Sequence, residues 1–102
     1  MSNNLWYLYI IKTSDGLLYT GITTDVLRRW SEHQAMSLGG KKGAKFFRGR
    51  HPRSLEYVKT HSDRSSATKQ ECEVKSLSPT EKKSLIKSDQ NQLKNICFQR
   101  NY

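Results

Sequence analysis

Proline and cysteine are both scarce, two of each in 102 residues. The cysteines, Cys72 and Cys97, stand far apart, with no CxxC and no histidine at ligand spacing. This pattern indicates neither a disulfide framework nor a zinc site and fits reduced thiols in the cytoplasm. Long apolar runs are missing as well: none approaches the roughly 20 residues needed to span a bilayer. The opening MSNNLWYLYIIK has neither a basic n-region nor a small-residue cleavage site, so it does not read as a secretory signal. Acidic residues are half as numerous as basic ones, nine against eighteen, for a net charge of +9. A small chain this basic points to a polyanionic partner, nucleic acid foremost. An anionic membrane surface is the competitor, but no basic helix carries a large continuous apolar face.

With 34% hydrophobic residues and a mean hydropathy of −0.82, the chain has enough apolar surface for one modest core. The pattern predicts one domain over 4–87, followed by a polar tail over 88–102. In that tail only Leu93, Ile96 and Phe98 can pack, so it should be loosely held. Internal repeats are absent.

What the chain does have is tyrosine, three of its five within WYLYIIKTSDGLLYTG, residues 6–21. LWYLYIIK (5–12) and LLYTGI (17–22) are β-prone runs joined by turn residues, which together read as a hairpin. Its register depends on the turn. A two-residue Asp-Gly turn pairs Tyr9 with Ile22 and separates Tyr9 from Tyr19. A three-residue Ser-Asp-Gly loop pairs Tyr9 with Gly21 and Tyr19 with Ile11, bringing Tyr7, Tyr9 and Tyr19 to one face. TTDVLRRWSEHQAM (23–36) follows as a helix, capped by Thr24 or Asp25, with Val26, Leu27 and Trp30 as its apolar stripe. Arg29 and His33, four apart, lie along one edge of that stripe. SLGGKKGAKFFRGRHP (37–52) reads as a mobile basic loop with a helical turn around AKFFR. RSLEYVKT (53–60) is a third strand, and a second helix spans 64–77. A third helix opens at Ser78, where Ser78, Pro79 and Glu81 complete a capping box. The fold class is therefore α/β, a small, mostly antiparallel three-stranded sheet flanked by helices.

In the second helix Ala67, Glu71, Val74 and Ser78 share one stripe, which points Glu71 inward. An inward carboxylate is costly unless it is paired, protonated or bound to a cation. The plain alternative is an i,i+4 ion pair with Lys75. The tyrosines have their own plain alternative, core packing with solvated hydroxyls, and Arg29 and His33 taken alone read as solvated helix residues. The basic loop reads as a nucleic-acid contact but specifies no reaction.

Taken jointly, YLY (7–9), YTG (19–21), Arg29, His33 and Glu71 resemble the GIY-YIG nuclease family. The resemblance covers about residues 5–87. It is closest to small stand-alone members of YhbQ type, through YTGITTDVLRRWSEH, the KKGAKFF loop and LSPTEK. It implies a phosphodiester-cleaving site. Tyr19 would be the candidate general base, Tyr9 would hold water or phosphate, and Arg29 would bind the scissile phosphate. His33 would share proton transfer or phosphate contact, and Glu71 would carry one Mg²⁺ or Mn²⁺. Whether Tyr19 removes a proton or only orients the water stays open in the sequence. DNA is favoured as substrate, in a repair or recombination setting. Lys41, Lys42, Lys45, Arg48, Arg50 and Arg53 are the candidate backbone contacts. Phe46 or Phe47 is a candidate for base stacking, with core packing the role of at least one of them. The chain departs from the family at Tyr7, where the name-giving glycine would stand, and at Ile22, where some relatives carry lysine. The rival reading is a binding module that keeps the fold without turnover.

Overall fold

The computed structural model describes residues 5–94. Its element order is β1 (Trp6–Thr13), β2 (Leu18–Thr23), α1 (Val26–Ser37), a single 3-10 turn (Lys45–Phe47), β3 (Pro52–His61), α2 (Arg64–Lys75) and α3 (Pro79–Ile86). The three strands form an antiparallel sheet in the order β2-β1-β3. No helix among the described residues is long and apolar enough to cross a membrane.

The hairpin takes the three-residue loop. Tyr9 lies opposite Gly21 and Ile11 opposite Tyr19. The turn closes with the Gly16 N–H donating to the Thr13 carbonyl at 3.0 Å. Gly16 has a φ of +87°, a left-handed conformation that costs glycine nothing. Pairing with this register sends odd and even residues of β1 to opposite faces. Because β1 is central and both faces are covered, Leu8 to Ile11 are all buried, as a continuous apolar run rather than an alternating one.

On one face Tyr9, Ile11, Met36, Phe47 and Val58 form a core with Tyr7, Tyr19 and Trp30 against it, beneath α1 and the 3-10 turn. On the other, Leu8, Ile10, Tyr57 and Val74 pack with Leu85 and Ile86 beneath α2 and α3. Each such side chain contributes roughly 1.5–3 kcal/mol by leaving water. Local signals start the helices. The Asp25 carboxylate accepts from the Arg28 N–H to cap α1, and Asp63 does the same for α2 through Ser66. At α3 the Ser78–Glu81 capping box is complete. All three helices therefore begin within three residues of their expected starts.

The polar residues after α3 correct one expectation. Residues 88–94, read from their polarity as the start of a loose tail, are fastened along the outer edge of β3. The Asn91 amide donates to the carbonyls of Glu56 and Ile86, each at 2.8 Å. The Gln92 N–H donates to the Val58 carbonyl at 2.8 Å, and its Oε1 accepts the Thr60 N–H at 2.7 Å. Edge-strand groups left bare would invite pairing with another chain. Leu93 packs on the tyrosine-side core. Ile96, Phe98 and Cys97 lie outside the described residues.

Candidate active site

The tyrosine face is built from the hairpin, α1 and the basic loop. Tyr9 is 2% exposed and His33 fully buried, with Tyr9 Oη 2.8 Å from His33 Nε2. The other ring nitrogen of His33, Nδ1, accepts the Ala44 backbone N–H at 3.3 Å. An accepting nitrogen carries no proton, so the neutral ring is protonated at Nε2 and donates to Tyr9 Oη. Burial, assisted by the Arg29 charge, pushes the His33 pKa down to about 4. The ring is therefore neutral at physiological pH.

Tyr9 is held from several sides. Burial raises its pKa well above the usual phenol value, the nearby Tyr19 adds to the rise, and the Arg29 guanidinium against the hydroxyl opposes it. Across the hairpin, Gly21 makes room for the phenol. A Cβ built there would sit 2.5 Å from Tyr9 Oη and 3.1 Å from Tyr19 Cε2. The second half of the YTG motif thus has a steric reason, which is that the Tyr9 ring occupies the space a side chain at 21 would need.

Tyr19 is half-buried in a ring cluster, its centroid 5.4 Å from His33, 5.1 Å from Phe46 and 5.0 Å from Phe47. Phe47 is fully buried and is a core residue, whereas Phe46 keeps part of its ring accessible. Arg29 donates through Nη1 to Glu32 Oε1 and to the Lys42 carbonyl, both at 2.8 Å. With the contact to Tyr9, these bonds use three of the five guanidinium N–H groups and leave two for a ligand. The stretch Lys42–Ala44 is thus bonded through its backbone to both Arg29 and His33, two links that no side-chain pattern signals.

Glu71 stands between the buried Ala67 and Val74 on α2, with its side chain 20% exposed. Its Oε2 pairs with Lys75 Nζ at 3.2 Å, the plain alternative that the spacing offers. Its charge is nevertheless felt at the Tyr9 hydroxyl, where it adds to the raised pKa. No group of three or more His, Cys, Asp or Glu gathers among the described residues. A lone carboxylate suits a hard cation that keeps most of its waters and takes substrate oxygens as further ligands.

Of the basic candidates, Lys41, Lys42, Lys45, Arg48 and Arg53 are exposed. Arg50 is committed elsewhere: its Nε pairs with Asp15 at 3.0 Å, and its guanidinium lies 4.7 Å over the Phe46 ring. The loop is thereby latched to the hairpin turn.

A buried phenol–imidazole pair with an arginine beside it thus stands on one face of a three-stranded α/β sheet. A profile of the GIY-YIG catalytic domain matches residues 5–84, and the chain belongs to this nuclease-type family, whose members bind nucleic-acid substrates. It is 46% identical over 98 residues to a UPF0213 protein of Yersinia pestis, covering 96% of this chain and 97% of that one. A UPF0213 protein of Desulfotalea psychrophila is 44% identical over 93 residues, covering 91% and 81% respectively. The solution NMR structure of a UPF0213 protein from Bacillus halodurans matches with a TM-score of 0.53 at 36% identity, over 89% of this chain and 92% of that one.

Proposed function

We propose that the domain hydrolyses phosphodiester bonds of nucleic acid, DNA in preference to RNA, by direct attack of water. The observation behind this reading is the buried Tyr9–His33 hydrogen bond with Arg29 beside it and the Glu71 charge within electrostatic reach. A cytoplasmic repair or recombination setting fits this chemistry.

Tyr9, with its pKa raised, remains a phenol near neutrality. His33 donates to its oxygen, so its own proton is available for a water or a phosphate oxygen. Tyr9 therefore positions rather than deprotonates. His33 is fully buried and acts through Tyr9, not on phosphate directly. Tyr19, the more accessible phenol, is left to contact the attacking water. The free donors of Arg29 form a planar fork suited to the scissile phosphate. Glu71 would hold Mg²⁺ or Mn²⁺ once Lys75 releases it. A cation bound there supplies charge neutralisation at the leaving oxygen.

The test is cleavage of supercoiled, single-stranded and branched DNA with Mg²⁺, Mn²⁺ or EDTA, comparing wild type with Glu71→Gln. Metal-dependent cleavage should fall about a hundredfold or more in the variant while DNA affinity holds. A second reading, a binding module without turnover, draws support from the Glu71–Lys75 ion pair. Folded wild type that binds DNA and cleaves none in either metal would establish that reading instead.

A further inference from the structure

At the turn end of the hairpin a cleft of about 530 Å³ opens on the α2/α3 side of the sheet, and Phe46 reaches its wall from the tyrosine cluster. That volume lies within the range of sites that take organic ligands. Its floor includes Leu18 and Ile86, and its rim carries Lys12, Lys82, Lys83 and Lys87. The convergence follows from the fold. Lys12 and Leu18 are cross-strand partners in the hairpin. On α3 and its cap, Lys82 precedes Ile86 by four residues and Lys83 precedes Lys87 by four, so the four side chains form adjoining rows on one side of the helix.

The charge of this rim is not neutralised within the fold. Among the described residues the ion pairs involve Arg29, Arg50 and Lys75, and none of the four rim lysines. Glu81, next to them in sequence, is occupied by the capping box. Glu56 also lines the cleft, where it accepts the Ser54 hydroxyl. Four lysines less one glutamate leave +3 around an apolar floor. A small inorganic anion would use the charge and leave the floor unused. A duplex would do the same, because its base faces are stacked inside and only their edges show. An unpaired strand offers both phosphates for the lysines and exposed base faces for the floor. Phe46 lines this cleft and stacks near Tyr19 at 5.1 Å, so the cleft and the tyrosine cluster share a wall.

We propose that this cleft is a second nucleic-acid subsite, taking an unpaired stretch of substrate strand next to the bond held at the tyrosine cluster. The proposal rests on the nuclease reading, and it gives the domain a preference for substrates with a single-stranded flank.

The test uses the full chain and fluorescence anisotropy with a labelled single-stranded oligonucleotide and a blunt duplex, each over a range of salt. The variant is Lys82→Ala, Lys83→Ala and Lys87→Ala together, beside a loop variant with Lys41, Lys42 and Lys45 changed to Ala. Single-strand affinity of the α3 variant should fall about tenfold or more. Its salt slope should be shallower by about 2, since each phosphate neutralised on a single strand accounts for about 0.7. Duplex affinity should change little, which also reports that the variant is folded. Equal losses on both substrates would overturn the subsite in favour of diffuse attraction. Unchanged single-strand binding with lost binding to phosphatidylserine vesicles would overturn it in favour of a membrane surface. An α3 variant identical to wild type beside a weakened loop variant would overturn the subsite alone. Wild type that binds neither substrate would overturn the nuclease reading itself.

Discussion

Gly21 and His33 show how much of the site depends on single atoms. Adding one methyl at Gly21 places carbon 2.5 Å from Tyr9 Oη, and neither the sheet backbone nor the buried ring has room to yield. Gly21→Ala should therefore destabilise the fold by about 1–3 kcal/mol. It should also slow cleavage at least tenfold by prising Tyr9 from His33. Urea unfolding and single-turnover rates check the two effects, and a variant with unchanged rates would deny Tyr9 its place in the reaction. His33 makes stability depend on pH. Its folded pKa is about 4 against an ordinary 6.5. Between these values the unfolded chain takes up a proton that the folded chain refuses, so stability falls as pH drops through that window. The loss should be on the order of 2–3 kcal/mol by pH 4, before carboxylate effects are counted. Urea midpoints at neutral and mildly acidic pH measure it, and His33→Gln should flatten the curve.

At the scale of elements, β3 relies on the segment after α3 to cover its outer edge. Asn91 alone satisfies two carbonyls and accepts the Val58 and Leu93 N–H groups. Asn91→Ala should cost about 1–3 kcal/mol, because it leaves part-buried backbone groups without partners. A thermal or urea midpoint close to wild type would mean that water replaces the amide. This edge cover was the part of the fold least legible in sequence. Asn91 and Gln92 are polar residues without periodicity, and polar residues that dock by hydrogen bonding resemble residues that do not dock. The hairpin was legible because alternation and a three-residue loop admit one register that gathers the tyrosines. Helix starts were legible because caps are local. In the site, the spacing of Arg29 and His33 put them on one edge of α1. The depth of His33 was not legible, since it comes from Phe47 and the Ala44 N–H, both on a loop whose path no pattern encodes. The steric need for Gly21 was not legible either, since it depends on where the Tyr9 ring lies across the hairpin.

The whole molecule carries +9, and much of its exposed positive charge lies on the loop between α1 and β3 and on α3. Nucleic-acid binding should accordingly weaken steeply with salt. Changing Lys41, Lys42 and Lys45 together to Ala should reduce the slope of log affinity against log salt for duplex DNA by about 2–3, roughly 0.9 for each phosphate neutralised. Titrations at several salt concentrations measure this directly, and an unaltered slope would move the duplex contact to another surface.

The loop that presents these lysines is tied from beneath, the Lys42 carbonyl receiving Arg29 and the Ala44 N–H reaching His33. In terms of sequence change, its exposed side chains are free to vary while its spacing is not. Exchanging a lysine there for another residue alters attraction alone. Inserting or deleting one residue between Lys42 and Ala44 shifts the backbone out of register with two helix residues at once. Homologous chains should therefore drift in charge along this loop and stay constant in its length.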